Sequence, residues 1–169
     1  MAFLEGTVTV GEKGGRGVYL DTEALIETLT EVGDRHGATV QAFDGRYVAS
    51  RQHLRQAVEL ADRARERDEA IARDRAVEIL LYAAGRRQID RALEMGVGSG
   101  ETPVVVLVDG GDESAAATEL RKEIRPGSVE PSERRLRSFF EIGDAELAAT
   151  DAGIEALVLE RVALLVVDR

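Results

Sequence analysis

The residues best suited to chemistry are two adjacent arginines and a glutamine, Arg86, Arg87 and Gln88, which follow Gly85. Each guanidinium offers five N–H donors in a planar fork that matches a phosphate or a carboxylate. The three residues lie at the start of a predicted short helix, where free backbone N–H groups attract anions. This combination predicts an anion-binding site at residues 85–88.

Two predicted helices position these side chains. Apolar residues within Arg75–Ala84 recur at the spacing of a buried helix. Gly85 then interrupts the pattern, because glycine costs about 1 kcal/mol relative to alanine in a helix interior. A second short helix is expected over residues 87–95, with Ile89, Leu93 and, as a further candidate, Ala92 facing inward.

Residue types needed for catalysis or metal binding are scarce. The chain has no cysteine and two histidines, His36 and His53, neither of which stands in a metal-binding spacing such as H-E-x-x-H. His53 is expected to be a solvated residue of a helix. The serines lack the G-x-S-x-G context of an activated nucleophile. The sequence therefore indicates a protein that is not an enzyme and that uses neither a metal nor a cofactor.

The composition restricts the class of partner. The 169 residues carry 32 acidic and 22 basic side chains, a formal net charge of −10, so a broad positive field for nucleic acid is excluded. Residues 61–91, however, hold eight arginines and seven acids, which gives this segment a net charge of +1. A short single-stranded end is therefore the form of RNA that would fit, with Tyr82 as the candidate stacking surface.

The same composition bears on the environment of the protein. Only Lys13 and Lys122 are lysines, and an acidic, lysine-poor surface suits concentrated salt, so we expect a halophilic host. A GC-rich genome would also favour arginine over lysine. No signal-peptide pattern is present, no apolar run is long enough to span a bilayer, and cysteine is absent. The sequence thus favours a cytoplasmic protein.

The remaining patterns predict one α/β (α+β) domain over residues 1–169. Strands are expected at residues 7–10, 39–43 and 103–108, and helices after residues 21, 50, 112, 144 and 153. Asp44-Gly45 indicates a hairpin or a turn before residues 46–49. Residues 132–140 are charged and carry no pattern that assigns a structure. Because the regular strand–helix alternation of a doubly wound fold is missing, we expect a small mixed, mostly antiparallel sheet covered by helices.

The C-terminal helix is the second candidate surface. Apolar residues surround nearly the whole of Ile154–Val167, and a helix that is apolar all round must be covered all round. Either the helix lies in the core, or one side is core and the other meets a partner. The residues expected at such an interface are Leu157, Leu164 and Leu165, with Glu160 and Arg161 at its rim.

Two segments of the chain resemble a known family. The run VEILLYAAGRRQI over Val77–Ile89 is similar to the E-I-L-x-Y-x-(S/A)-G-(K/R)-R-Q-I segment of archaeal members of the small, non-catalytic, kinase-binding KEOPS subunits, the TPRKB-like family. The run IEALVLERVALLVV over Ile154–Val167 resembles the closing LILERVALLD helix of the same family. The order and separation of the two segments also agree.

The resemblance implies an accessory subunit of the KEOPS complex, which makes the threonylcarbamoyl modification on the adenosine beside the anticodon of certain tRNAs. In that family the small subunit binds the atypical kinase/ATPase subunit, and archaeal members recognise the single-stranded 3′ CCA end of tRNA. Carried over to this chain, RNA contact falls on Gly85, Arg86, Arg87 and Gln88, with Ile89 in the core. Kinase contact falls on the C-terminal helix.

Two other interpretations stay open. In a small-ligand-binding regulatory α/β domain, Arg86 and Arg87 would hold the phosphate or carboxylate of a metabolite. An enzyme with an acidic site of unfamiliar design is the weaker alternative. A pocket enclosed on all sides beside Arg86 would favour the ligand-binding domain, whereas an open basic groove running past Gly85 would favour RNA.

Overall fold

The computed structural model describes residues 1–167, which form five strands and eight α-helices. In chain order they are β1 (Ala2–Val10), β2 (Val18–Tyr19), α1 (Thr22–His36), β3 (Thr39–Asp44), α2 (Arg51–Glu66), α3 (Arg75–Ala84), α4 (Ile89–Ala92), β4 (Gly100–Asp109), α5 (Glu113–Leu120), β5 (Arg125–Pro126), α6 (Glu133–Phe139), α7 (Asp144–Ala149) and α8 (Gly153–Val167). The elements fall into two compact units. The sheet unit comprises residues 1–45 and 96–130, and the helical unit comprises residues 46–95 and the chain from residue 131. The expectation of one domain stays a prediction.

The sheet unit is built on one mixed sheet with the order β2-β1-β4-β3, and β5 also pairs with β1. Strand β1 runs antiparallel to β4 from Ala2 opposite Val108 to Val10 opposite Gly100, and β3 runs antiparallel to β4 on its other side. The short β1–β2 pair is parallel. The predicted α/β class and the mixed, mostly antiparallel sheet are therefore confirmed.

The core of the sheet unit lies on one face of this sheet. Because successive residues of a strand point to opposite faces, alternate residues of β1 and β4 share the core side. Leu25, Leu29 and Val32 of α1 join the same buried cluster, as do small apolar residues of α5. Helix α1 begins where the Asp21 carboxylate accepts a hydrogen bond from the Ala24 N–H at 2.8 Å, as the sequence predicted.

The helical unit is organised around α3. Helix α3 packs against α2 and α8, and all seven side chains over residues 78–84 are buried. The buried stripe of α2 repeats at three- and four-residue intervals, the spacing of one helix face, at Leu54, Ala57, Val58, Ala61 and Ala64. Among helices in residues 1–167, none is both long enough and apolar enough to cross a membrane.

A buried carboxylate closes the connection between α2 and α3. Glu78 has no exposed surface, and its two oxygens accept hydrogen bonds from the N–H groups of Ile71, at 3.0 Å, and Ala72, at 2.5 Å. Hydrogen bonds to a buried ionised group are among the stronger ones in proteins, because the alternative is an unpaired charge away from water. Glu78 therefore fixes the path of the chain into α3.

His53 corrects one expectation of the sequence analysis. It was predicted to be solvated, but it is fully buried in α2. Its Nε2 lies 2.8 Å from the Ala83 carbonyl oxygen, and its Nδ1 accepts a hydrogen bond from the Ala49 N–H at 3.1 Å. Both ring nitrogens have hydrogen-bond partners, so burying this histidine leaves no polar atom of its ring unpaired.

Asp44-Gly45, which indicated a hairpin or a turn, leads into a turn and not a hairpin. Residues Gly45–Tyr47 form a single 3-10 turn. An Asp-Gly hairpin turn requires positive φ angles, and Asp44 and Gly45 do not adopt them. Glycine is required here by packing, since a Cβ at Gly45 would lie 2.1 Å from the Val129 side chain.

Candidate functional site

Gly85 ends α3, as the sequence predicted, and does so in a left-handed turn. Its φ angle is +62°, its N–H donates to the Tyr82 carbonyl, and the N–H of Arg86 donates to the Leu81 carbonyl, both at 3.1 Å. These two bonds form a Schellman motif, which satisfies carbonyls at a helix end. A Cβ at Gly85 would lie 3.1 Å from the main-chain oxygen of Arg161 in α8. Gly85 is therefore a packing and turn residue.

Arg86 is half-buried and has a structural partner. Its Nη2 donates to the main-chain oxygen of Phe139, the last residue of α6, and its guanidinium carbon lies 5.1 Å from the centroid of the Phe139 ring. The Nε atom is buried and makes no hydrogen bond within residues 1–167. The expectation that Arg86 presents a free guanidinium fork is therefore wrong.

The second predicted helix is shorter and faces the other way. Helix α4 has four residues, Ile89–Ala92, and a 3-10 turn continues it over Leu93–Met95. Ala92 and Met95 are the buried residues, whereas Ile89 is 51% exposed and Leu93 is 54% exposed. Of the three residues expected to face inward, only Ala92 is buried, and the expectation for Ile89 and Leu93 is wrong. One helical turn offers too few positions for the spacing of its apolar side chains to choose between two faces.

Arg87 and Gln88 keep the exposure expected of ligand-binding side chains. Both are exposed, and within the described part of the chain neither side chain makes a hydrogen bond or an ion pair. The backbone at the start of a four-residue helix adds little, because the helix dipole grows by aligning many peptide units. Any anion contact at residues 85–88 would therefore depend on these two side chains.

Tyr82 does not offer a stacking surface. Its side chain has no exposed area, because α3 is covered on nearly every side. A nucleobase needs an accessible ring face, so the expectation that Tyr82 stacks on RNA is wrong in this structure.

A basic groove that the sequence analysis did not predict lies on α6. The groove has a volume of about 290 Å³, and its lining residues are Tyr47, Arg91, Glu94, Arg134, Arg135, Ser138 and Phe139. Within residues 1–167, the side chains of Arg91, Arg134 and Arg135 make no hydrogen bond or ion pair. The sequence signal was the arginine run of residues 134–137, which lacked an assigned structure. We name these three side chains, with Tyr47, the arginine groove.

Helix α8 separates its residues into a buried side and an exposed side. Leu157, Val158, Val162 and Leu165 are buried, so two of the leucines predicted to face a partner belong to the core. Arg161 is not a free rim residue either, because both of its terminal nitrogens pair with the Glu146 carboxylate at 2.9 and 2.6 Å. The exposed residues after the first turn, which we call the α8 strip, are Glu160, Ala163, Leu164 and Val167.

The charge of the chain is unevenly divided between the two units. The sheet unit carries 15 acidic and six basic residues, a net charge of −9. The helical unit carries 17 acidic and 16 basic residues, a net charge of −1. Both the arginine groove and the α8 strip lie in the nearly neutral unit. Within residues 1–167, no group of three or more histidine or carboxylate side chains is arranged to hold a metal ion.

Comparison with known proteins assigns the family. A family model described as kinase binding protein CGI-121 matches residues 21–165, which is most of the chain and includes Gly85 and all of α8 except its last two residues. No curated protein shows significant similarity to the chain. The match carries no information on the host, so an archaeal, halophilic origin stays a prediction. The chain belongs to the CGI-121 family of non-catalytic, kinase-binding KEOPS subunits.

Proposed function

We propose that this KEOPS accessory subunit, besides binding the kinase, helps to recruit tRNA through its single-stranded 3′ CCA end. The contact surface comprises the exposed Arg87 and Gln88 together with the arginine groove. The observation that carries this proposal is the set of arginines that have no partner within the described residues. The chain has a net charge of −10, so carboxylates are abundant, and yet several guanidiniums of one unit form no ion pair with them. Such guanidiniums remain available to an anionic ligand.

The chemistry of the surface suits single-stranded RNA. Arginine forks bind phosphodiester oxygens, and unstacked bases pack on aromatic rings. Tyr47 takes the role that the sequence analysis gave to Tyr82, because it is partly exposed and lines the groove. Its ring packs edge-on against Phe139 with centroids 5.6 Å apart, which fixes its orientation.

The first experiment compares binding of tRNA with and without its 3′ CCA, measured by fluorescence anisotropy with the full chain. We expect CCA-dependent binding that weakens about tenfold or more in an Arg134→Ala/Arg135→Ala variant and in an Arg87→Ala/Gln88→Ala variant. Arg121→Ala, an exposed arginine of the sheet unit, is the matched control. Equal binding of both RNAs, or loss in the Arg121 control alone, would overturn the proposal.

For the kinase, we propose the α8 strip as the contact surface. Leu164 is 39% exposed and Val167 is 74% exposed, and two large apolar side chains on one helix face gain free energy when a partner covers them. Leu164→Arg should abolish kinase binding in a pull-down without lowering the thermal unfolding midpoint. Ile26→Arg, at a residue of the sheet unit that is 54% exposed, controls for a general effect of added charge. Unchanged kinase binding by Leu164→Arg would exclude this surface.

The small-ligand alternative is less well supported. It required Arg86 and Arg87 to act together on one anion, and the Arg86 guanidinium already contacts the carbonyl and the ring of Phe139. Calorimetric titration with inorganic phosphate and with adenosine monophosphate distinguishes the two functions. Binding of either small molecule as tight as that of tRNA would favour the alternative.

A further inference from the structure

Helix α6 carries two arginines of the groove and is too short to be stable alone. It has seven residues, whereas isolated helices shorter than about 12 residues are marginal in water. Its N-terminus is capped by Ser132, whose hydroxyl accepts a hydrogen bond from the Arg135 N–H at 3.3 Å. The Ser132 N–H in turn donates to the Arg46 carbonyl at 2.9 Å. The start of α6 is thus anchored locally.

The end of α6 is held by arginines from two other helices. Arg86, just after α3, donates to the Phe139 carbonyl. Arg161 of α8 donates through Nε to the Phe140 carbonyl at 3.1 Å and through Nη2 to the Glu141 carbonyl at 3.3 Å. Carbonyls at a helix end have no partner inside the helix, and positive charge is favourable beside them. We name Arg86 and Arg161 the arginine clamp.

Both clamp residues use properties that lysine lacks. The planar guanidinium of Arg86 packs against the Phe139 ring while one of its nitrogens reaches the Phe139 carbonyl. Arg161 spreads its donors over two carbonyls and both oxygens of Glu146. An ammonium group is a compact charge with three donors at one point, so it cannot span such partners.

The clamp is connected to the groove through one aromatic side chain. The Phe139 ring lies against the Arg86 guanidinium on one side, packs against Tyr47, and lines the groove itself. One helical turn earlier, Arg134 and Arg135 project from the same helix. We infer that Arg86 and Arg161 are positioning residues, which hold α6 so that its arginines and Tyr47 form the RNA-binding groove, and that neither contacts the RNA. This inference rests on the proposed function of the groove.

Arg121 provides a matched comparison, because it is an exposed arginine of the sheet unit that belongs neither to the clamp nor to the proposed RNA-contact surface. A phosphate contact tolerates lysine, which keeps the charge, whereas a fork that packs on a ring and a carbonyl does not. The test therefore compares Arg86→Lys, Arg161→Lys and Arg121→Lys. Two quantities are measured well below the unfolding temperature: affinity for tRNA, and amide hydrogen exchange at Leu136 of α6 and at Phe140 and Ile142, whose N–H groups bond carbonyls of α6.

We expect Arg86→Lys and Arg161→Lys to speed exchange at the three amides and to weaken tRNA binding about tenfold. Arg121→Lys should change neither quantity by more than about twofold. Kinase binding by Arg86→Lys should equal that of the unmodified protein, which shows that the rest of the helical unit is intact.

The outcomes separate the two proposals. If the unmodified protein does not bind tRNA, the proposed function fails, and the exchange data alone decide whether the clamp holds α6. Unchanged exchange in both clamp variants would overturn the clamp. Faster exchange with full tRNA affinity, while Arg134→Ala/Arg135→Ala loses affinity, would overturn its role in positioning the groove. Loss of affinity in Arg121→Lys equal to that in Arg86→Lys would likewise contradict it.

Discussion

The Nε2 atom of His53 donates a hydrogen bond to the Ala83 carbonyl oxygen, 2.8 Å away, two residues before α3 ends at Gly85. Since Nδ1 accepts the Ala49 N–H, the proton of the neutral ring must be on Nε2. The buried ring also packs edge-on against Phe140, with centroids 5.7 Å apart. One neutral imidazole therefore connects the start of α2, the end of α3 and the end of α6.

This relationship predicts a pH dependence of stability. Burial lowers the pKa of His53 from 6.5 to about 4, so the unfolded chain binds a proton more readily than the folded one. The contribution of the neutral His53 ring to the free energy of unfolding is therefore complete above pH 6.5 and is lost as the pH falls toward 4. Across that window the free energy of unfolding should drop by about 3 kcal/mol. Urea unfolding from pH 7.5 to pH 5 measures the slope, and His53→Gln should flatten it. An equal slope in both proteins would exclude His53 as the cause.

Both oxygens of the Glu78 side chain should be needed as hydrogen-bond acceptors. Glu78→Gln replaces one acceptor oxygen by an N–H₂ group that faces a backbone N–H, and we expect a loss of about 2 kcal/mol in the free energy of unfolding. Faster amide exchange at Ile71 and Ala72 should accompany the loss. Glu66→Gln, at an exposed position of α2, is the control and should be neutral. Similar effects of the two substitutions would contradict the role of Glu78.

Replacing Gly85 even by alanine should lower the free energy of unfolding. Gly85→Ala places a Cβ in left-handed backbone and against the Arg161 oxygen, and we expect a loss of about 2 kcal/mol. Gly143→Ala, where φ is −85° and no atom lies within 4 Å of the new Cβ, should be nearly neutral. Chemical denaturation measures both, and equal stability of the two variants would show that the turn at Gly85 is not strained by a side chain.

The two sides of α8 should respond differently to truncation. Leu157 is 6% exposed, so Leu157→Ala should cost about 3 kcal/mol through lost burial and the cavity that remains. Leu164→Ala should cost less than about 1 kcal/mol but weaken kinase binding. Calorimetry of the kinase complex, at a temperature where both variants are folded, separates the effects. Weaker kinase binding by Leu157→Ala than by Leu164→Ala would place the contact on another face.

The number of RNA phosphates in contact should be readable from salt dependence. If Arg87 and the three groove arginines each neutralise one phosphate, the slope of log K against log salt should be about −3. Removing Arg134 and Arg135 should make it shallower by about 1.4, since each single-strand contact contributes about 0.7. A slope that both substitutions leave unchanged would indicate binding elsewhere on the protein.

Local signals in the sequence were sufficient for much of the fold. The caps at Asp21, Ser50 and Asp112 and the end of α3 at Gly85 depend on neighbouring residues only. The continuous apolar run of β4 identified a strand buried on both faces. These features follow from local backbone geometry, so they can be predicted from a single sequence.

The site was harder to predict, because its decisive contacts are distant in sequence. The Arg86 guanidinium contacts Phe139, which is 53 residues further along the chain. Nothing in the G-R-R-Q segment indicates that contact. The sequence does not show which of Tyr47 and Tyr82 is buried, so it cannot decide which ring is accessible for stacking. Ile89 and Leu93 have the residue types of a core, and only the burial of Ala92 and Met95 assigns the faces of α4.

The contact that constrains Gly85 has an evolutionary consequence. The atom nearest to the missing Cβ is the main-chain oxygen of Arg161, which every amino acid possesses. A clash with a side chain is relieved by a second mutation that shortens the neighbour, but no codon change at position 161 removes this oxygen. A mutation at position 161 therefore cannot compensate for a mutation of Gly85. A descendant that loses the glycine must shift the backbone of α8, the helix whose outer strip we assign to the kinase.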